Sequence, residues 1–213
     1  EVLIKIFATA VTASDCIVRG FKLPIWNPVG LMMGLVLGFN KPRNPILGLV
    51  FAGEVESTGR DVKLFKNGDP LFGWTMKSSI QINFGTYAEY KCLPEDSVIA
   101  LKPSNISFEE AAAVPYGGLI ALHYLSKGKI QSAGKVLIYG ASGSIGTSAV
   151  QLASYYGAEV SGVCSTTNLE LVKALGAKKV IDYTKDDIAK NGDQYDFILD
   201  AVGKRSEEHT SEL

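Results

Sequence analysis

The sequence predicts an α/β protein in two parts, a β-barrel part followed by a parallel, doubly wound sheet that is incomplete. Three observations carry this prediction. Short apolar runs separated by Gly, Pro and Asn turns fill the N-terminal half, whereas strand-like and helix-like runs alternate from residue 135 onward. Between them, in KVLIYGASGSIGTSAVQLAS (135–154), an apolar run passes through a glycine-rich turn into a helical pattern.

Taken in order, Val2 to Phe7 begin a strand pattern that extends to about Val11 and turns through Thr12 to Asp15. From Leu23 to Asn40 no charge appears in 18 residues, but Pro24, Pro28 and three glycines interrupt the stretch. A spanning helix needs about 20 apolar residues with few breakers, so a lid or a short helix over a pocket is expected, with lipid-surface attachment as the weaker alternative. Asn44 to Val55 is expected to form a strand pair bent at its glycines. Val62 to Phe72 carries the turn Lys66-Asn67-Gly68-Asp69-Pro70, and Gly85 to Leu93 alternates like a strand.

At Ser107 the period changes. Ser107 and Glu110 form a capping box ahead of a helix through Ala111 to Val114, and Gly117 to Lys127 is expected to be a second helix ending before Gly128. The domain boundary is placed near Gly118, giving 1–118 and 119–204. After the glycine turn come a strand at Glu159–Cys164, a helix at Asn168–Leu175 stopped by Gly176, and strands at Lys179–Asp182 and Phe197–Val202.

The glycine turn is the most informative stretch. Gly140, Gly143 and Gly146 are spaced three apart, and Ala141, Gly143 and Gly146 fill an A-x-G-x-x-G dinucleotide fingerprint. In such a fingerprint one glycine permits the tight turn, one lets the backbone approach a pyrophosphate, and one lets the helix lie close to the strand. The helix that follows turns Ile145, Ala149, Leu152 and Ala153 toward the core, and its free N–H groups and dipole attract an anion. The candidate nucleotide-binding residues are therefore Gly140, Ala141, Ser142, Gly143, Ser144, Ile145 and Gly146.

Composition limits the partners. The chain has 213 residues, 46% hydrophobic and 20% charged, with a net charge of −1 and no basic run, so nothing favours nucleic acid or anionic lipid. Small molecules fit better. Cys16, Cys92 and Cys164 stand far apart with no CxxC pair, and no export signal is visible, so a cytoplasmic location is expected. The chain begins inside a strand pattern without a starting Met. Its last nine residues, RSEEHTSEL (Arg205–Leu213), match the frame-one translation of a common short-read sequencing adapter. They are read as a foreign tail, and leaving them out changes the net charge to +1.

These residues resemble the medium-chain dehydrogenase/reductases, in particular the zinc-independent quinone oxidoreductase branch that includes zeta-crystallin. The likeness spans Val2 to Lys204 and rests on VLIYGASGSIGTSAVQLA, on FGTYAEY (84–90), on AAAVPYGGLIALHYL (111–125) and on LGAKKVIDYT (175–184). It implies a GroES-like β-barrel catalytic domain followed by a Rossmann domain, which here stops at its fourth strand. For a full-length protein the resemblance also implies a homodimer.

Where zinc-dependent relatives carry a Cys ligand in a GVCHTD-like motif and a His ligand in a GHE motif, this chain reads Ala10 to Asp15 and Gly48-Leu49-Val50. Thr12 and Leu49 occupy the ligand positions, and a catalytic zinc needs three Cys, His or carboxylate ligands, so no metal is expected. Val50 departs from the acidic residue usual in the GHE motif, and Ile120 from a Thr common in relatives.

The cofactor follows from the end of the second parallel strand, where an acidic residue would bind the ribose hydroxyls of NAD. Ser165 stands there, and neutral Ser165, Thr166, Thr167 and Asn168 accommodate a 2′-phosphate that a carboxylate would repel. NADP is therefore expected. The resemblance adds Tyr183 as a phosphate partner, with Thr167 replacing an Arg common in relatives.

With no metal and no nucleophilic triad, the expected chemistry is hydride delivery to a quinone or an α,β-unsaturated carbonyl, with electrostatic support at the oxygen. Thr12, at the turn that the resemblance places near the nicotinamide, is the first candidate donor, with Asp15 as its neighbour and Tyr87 as a further pocket hydroxyl. The alternative is a non-catalytic, crystallin-like NADPH-binding protein.

Overall fold

A computed structural model describes residues 1–20, 28–39, 43–76, 83–130, 132–186 and 193–203. The chain divides into two units, Glu1–Pro115 and Tyr116–Leu213. The adapter-like residues 205–213 lie outside the described residues.

The first unit contains β1 (Val2–Ala8), α1 (Ala13–Gly20), α2 (Pro28–Leu37), β2 (Val50–Thr58), β3 (Pro70–Trp74), β4 (Tyr90–Leu93) and β5 (Val98–Leu101). The strands form an antiparallel sheet in the order β4-β1-β2-β3-β5. Alternation along β1 buries Val2 and Ile4 while Lys5 faces outward. They pack with Phe51, Val55, Leu71 and Leu93 into one core, each such side chain contributing roughly 1.5–3 kcal/mol.

Several boundaries differ from expectation. Residues 44–55 hold one strand, because Gly48 adopts φ +95° and turns the preceding segment away from β2. The 85–93 run becomes a strand only at Tyr90, and β5 was not anticipated. The charge-free stretch forms α2, with Pro28 at its first position, where a missing N–H leaves no intrahelical bond unmade. Residues 23–27 and 40 of the same expectation lie outside the described residues. Among the described residues no helix is long and apolar enough to cross a membrane.

Helix α3 runs unbroken from Phe108 to Lys127, where two helices were expected. Its start is the expected capping box: Glu110 N–H donates to Ser107 Oγ (3.1 Å) and Ser107 N–H to Glu110 Oε2 (2.8 Å). Pro115 removes one helical N–H, yet the turns on either side carry the helix through it.

The second unit contains β6 (Lys135–Tyr139), α4 (Ser144–Tyr155), β7 (Glu159–Cys164), a 3₁₀ turn (Thr166–Asn168), α5 (Leu169–Ala174), β8 (Lys179–Asp182) and β9 (Phe197–Asp200). All four strands are parallel, in the order β8-β7-β6-β9. The order reverses at β6, and in open α/β sheets ligands bind outside the carboxyl ends of the strands at such a reversal. Val136, Ile138, Val160, Ala149, Ala153 and Val172 fill the core beneath this edge, with Ile145 and Leu152 packed against it.

Candidate functional site

The glycine turn leaves β6 at its carboxyl end. Gly140 takes φ +78°, a conformation other residues adopt only with strain, and the N–H groups of Gly140 and Ala141 donate to the Val163 carbonyl of β7 (3.1 and 2.9 Å). These bonds draw the turn over the adjacent strand end. A Cβ at Gly146 would lie 2.1 Å from the Gly140 carbonyl oxygen and 2.7 Å from Ala141 Cα, so the first turn of α4 approaches the loop only because residue 146 is glycine.

Gly143 is different. Its φ of −80° is open to any residue, and an added Cβ would meet only the Gly140 oxygen, at an ordinary 3.5 Å. Neither the local backbone nor packing within its unit requires a glycine there. The space beside it is open, next to a helix start with no side-chain cap and no acidic residue in its first turn. Ser142 is half-buried, while Gly143 and Ser144 are exposed. Such a helix end suits a phosphate group.

The residues expected at the ribose lie along the same sheet edge. Ser165 follows β7, and Tyr183 follows β8 with its N–H donating to the Cys164 carbonyl (3.2 Å). Ser165 Oγ and Thr167 Oγ1 are 3.2 Å apart, and Asn168 Nδ2 donates to Ser165 Oγ (3.1 Å). The Tyr183 ring is half-exposed, tilted against Tyr139 with centroids 6.4 Å apart.

Thr166 faces another partner: its hydroxyl donates to Oδ2 of Asp182, a carboxylate that sequence reasoning did not single out. Thr184 donates to the other oxygen through its N–H (3.0 Å) and its hydroxyl (2.7 Å). Hydrogen bonds from Thr166 and Thr184 hold the buried Asp182 carboxyl below the usual carboxylate range. Lys185 Nζ lies 3.7 Å from the same Oδ2. The one available signal was an acidic residue closing a buried strand, in VIDYT.

In the first unit, Asp15 organises the candidate substrate-side residues. It is buried at the start of α1 and accepts from Thr12 Oγ1 (2.6 Å), from Thr12 N–H (2.9 Å) and, through Oδ1, from Gly48 N–H (3.1 Å). Gly48 in turn accepts from the N–H groups of Gly85 and Thr86, and the Leu47 carbonyl accepts from Tyr87 N–H (3.0 Å). Three stretches distant in sequence are thereby tied to one carboxylate. Burial, the Asp15 charge and a hydrogen bond to Asp15 push the Tyr87 phenol up to about 12. Thr12 thus directs its hydroxyl proton to Asp15. Among the described residues no three His, Cys, Asp or Glu side chains come together as metal ligands.

Residues 1–103 match the alcohol dehydrogenase GroES-like domain, and residues 144–210 match the family described as zinc-binding dehydrogenase. The chain is 36% identical to the 2-methylene-furan-3-one reductase of Solanum lycopersicum, over 96% of this chain and 50% of that protein. It is 35% identical to the chloroplastic NADPH-dependent alkenal/one oxidoreductase of Arabidopsis thaliana, over 95% of this chain and 50% of that one. The solved quinone oxidoreductase of Coxiella burnetii superposes with a TM-score of 0.79 at 32% identity, covering 95% of this chain and 60% of its own. The chain spans about half the length of the curated relatives it matches.

Proposed function

As the chain belongs to the medium-chain dehydrogenase/reductase family, we propose that it is part of an NADPH-dependent, zinc-free oxidoreductase acting on quinones or α,β-unsaturated carbonyls. The observation that carries this reading is Gly143, a glycine with no need inside its own unit beside an uncapped helix start. Gly140 to Gly146 hold the pyrophosphate, with Ala141, Ser142, Ser144 and Ile145 supplying the surrounding backbone. Ser165, Thr167 and Tyr183 hold the 2′-phosphate, and Thr166 fixes the turn through Asp182.

When bound, the reduced nicotinamide supplies the hydride; the rest is positioning. Asp15 holds Thr12 and the Gly48 backbone in place. The Tyr87 phenol, neutral throughout the physiological range, can turn its proton from Asp15 to a substrate oxygen, and solvent supplies the final proton. Thr12 and Leu49 at the positions of metal ligands in relatives support a zinc-free reaction. The three free thiols suit a reducing compartment such as the cytoplasm.

The test is oxidation of NADPH, followed at 340 nm, by chelator-treated full-length protein given a simple quinone or enone. Turnover is expected without metal. Dependence on added zinc, or binding of NADPH with no turnover across a substrate panel, overturns the reading.

A further inference from the structure

The ribose end of the nucleotide site presents an electrostatic problem. A 2′-phosphate carries between one and two negative charges near neutral pH, and the hydroxyls of Ser165 and Thr167 bring no compensating charge. Thr166, between them in sequence, donates instead to Oδ2 of the Asp182 carboxylate, which is ionised and buried. Hydroxyls in a turn fixed to an anion do not by themselves favour a dianion over the neutral 2′-hydroxyl of an unphosphorylated nucleotide.

The cation that the structure assigns to this cluster is Lys185. Its Nζ stands 3.7 Å from the same Asp182 oxygen that holds Thr166, beyond hydrogen-bond distance, with the side chain 66% exposed and that of Asp182 only 6%. Its backbone N–H is anchored to the Asp182 carbonyl (3.0 Å), so the stem starts from a fixed point while the ammonium is held loosely. An ammonium is a compact charge on a flexible stem and moves onto a stronger anion at little cost.

We propose that Lys185 is the specificity-determining residue for the 2′-phosphate, turning from the Asp182 carboxylate to the phosphate held over Ser165 and Thr167. This rests on the NADPH reading above. Lys185 neutralises part of the Asp182 charge when the site is empty and pairs with phosphate when it is filled, so it discriminates between the two nucleotides without touching the nicotinamide end.

The test is titration calorimetry of NADPH and NADH on full-length protein, at low and high salt, for the wild type, K185R and K185M. Wild type is expected to favour NADPH. K185M keeps the stem, and is expected to weaken NADPH about tenfold, leave NADH unchanged and flatten the salt dependence of NADPH binding. K185R is expected to keep the preference. An unchanged NADPH-to-NADH ratio in K185M, or equal weakening of both nucleotides, overturns the role of Lys185 and leaves the nucleotide reading standing. Wild-type protein that takes up neither nucleotide overturns both.

Discussion

Gly143 and Gly146 stand three residues apart in one turn, yet a methyl group added at each meets different surroundings. At Gly146 it meets the Gly140 carbonyl at 2.1 Å, and the backbone must shift to admit it. Gly146→Ala is therefore expected to destabilise by about 1–3 kcal/mol, as overpacking does, visible as a lower denaturation midpoint. At Gly143 it meets only open space and an ordinary contact. Gly143→Ala is expected to change stability by no more than about 0.5 kcal/mol, yet to weaken NADPH in a titration of the folded protein. Equal loss of stability in the two variants would show that residue 143 is glycine for packing. Asp15 offers a second contrast. Asp15→Ala leaves the Thr12 N–H and the Gly48 N–H unpaired, both in buried residues, for an expected cost of about 3 kcal/mol in urea unfolding. Tyr87→Phe removes a phenol pushed up to about 12, so the variant should lack a tyrosine whose ionisation at 295 nm is delayed. Because its folded pKa is raised, the stability that Tyr87 contributes is complete below about pH 10 and is lost as pH rises toward 12.

At the scale of elements, the capping box is the simplest device to test. Ser107→Ala leaves the Glu110 N–H without its acceptor at the start of α3 and is expected to cost about 1 kcal/mol. The same element shows where sequence reasoning stops. Pro115 suggests a break, but whether an interior proline breaks a helix or is carried through depends on packing that no local pattern records. The parallel strands were legible because buried strands are continuous apolar runs bounded by glycine and turn residues, and 159–164 and 179–182 lie where those runs lie. The antiparallel half was harder. Gly48 looks like a glycine within a strand until its positive φ and its bonds to Gly85 and Thr86 reveal a bend, and those partners are nearly forty residues away. The glycine turn was readable as a motif, since its spacing is local. Asp182 and Lys185 were not, because they reach Thr166 only through the pairing of β7 with β8.

Across the whole molecule, one set of carboxyls and one ligand set the response to conditions. Hydrogen bonds hold several carboxyls below their usual range: Glu95 from the Leu64 and Lys63 N–H groups, Asp193 and Glu159 from Lys179 and Lys178, and Asp182 from Thr166 and Thr184. In each case the unfolded chain binds protons at a higher pH than the folded one. The stability these groups contribute is thus present above about pH 4 and is lost as pH falls through their lower folded values. Urea midpoints should fall between pH 5 and pH 3, less steeply at high salt because all of these groups but Asp182 are at least partly open to solvent. At neutral pH the ligand dominates. A nucleotide that binds only the folded state adds about 2.7 kcal/mol at a hundred times its Kd, and the contacts proposed for it lie at 140–146, 165–167 and 183. Hydrogen exchange with and without NADPH should therefore slow first at the backbone amides of those three stretches. The 12–15 and 84–87 backbone, tied to Asp15 without any nucleotide, should already exchange slowly. Uniform slowing along the chain would point to general tightening, whereas slowing confined to the three stretches identifies the sheet edge at β6, β7 and β8 as the place where the nucleotide rests.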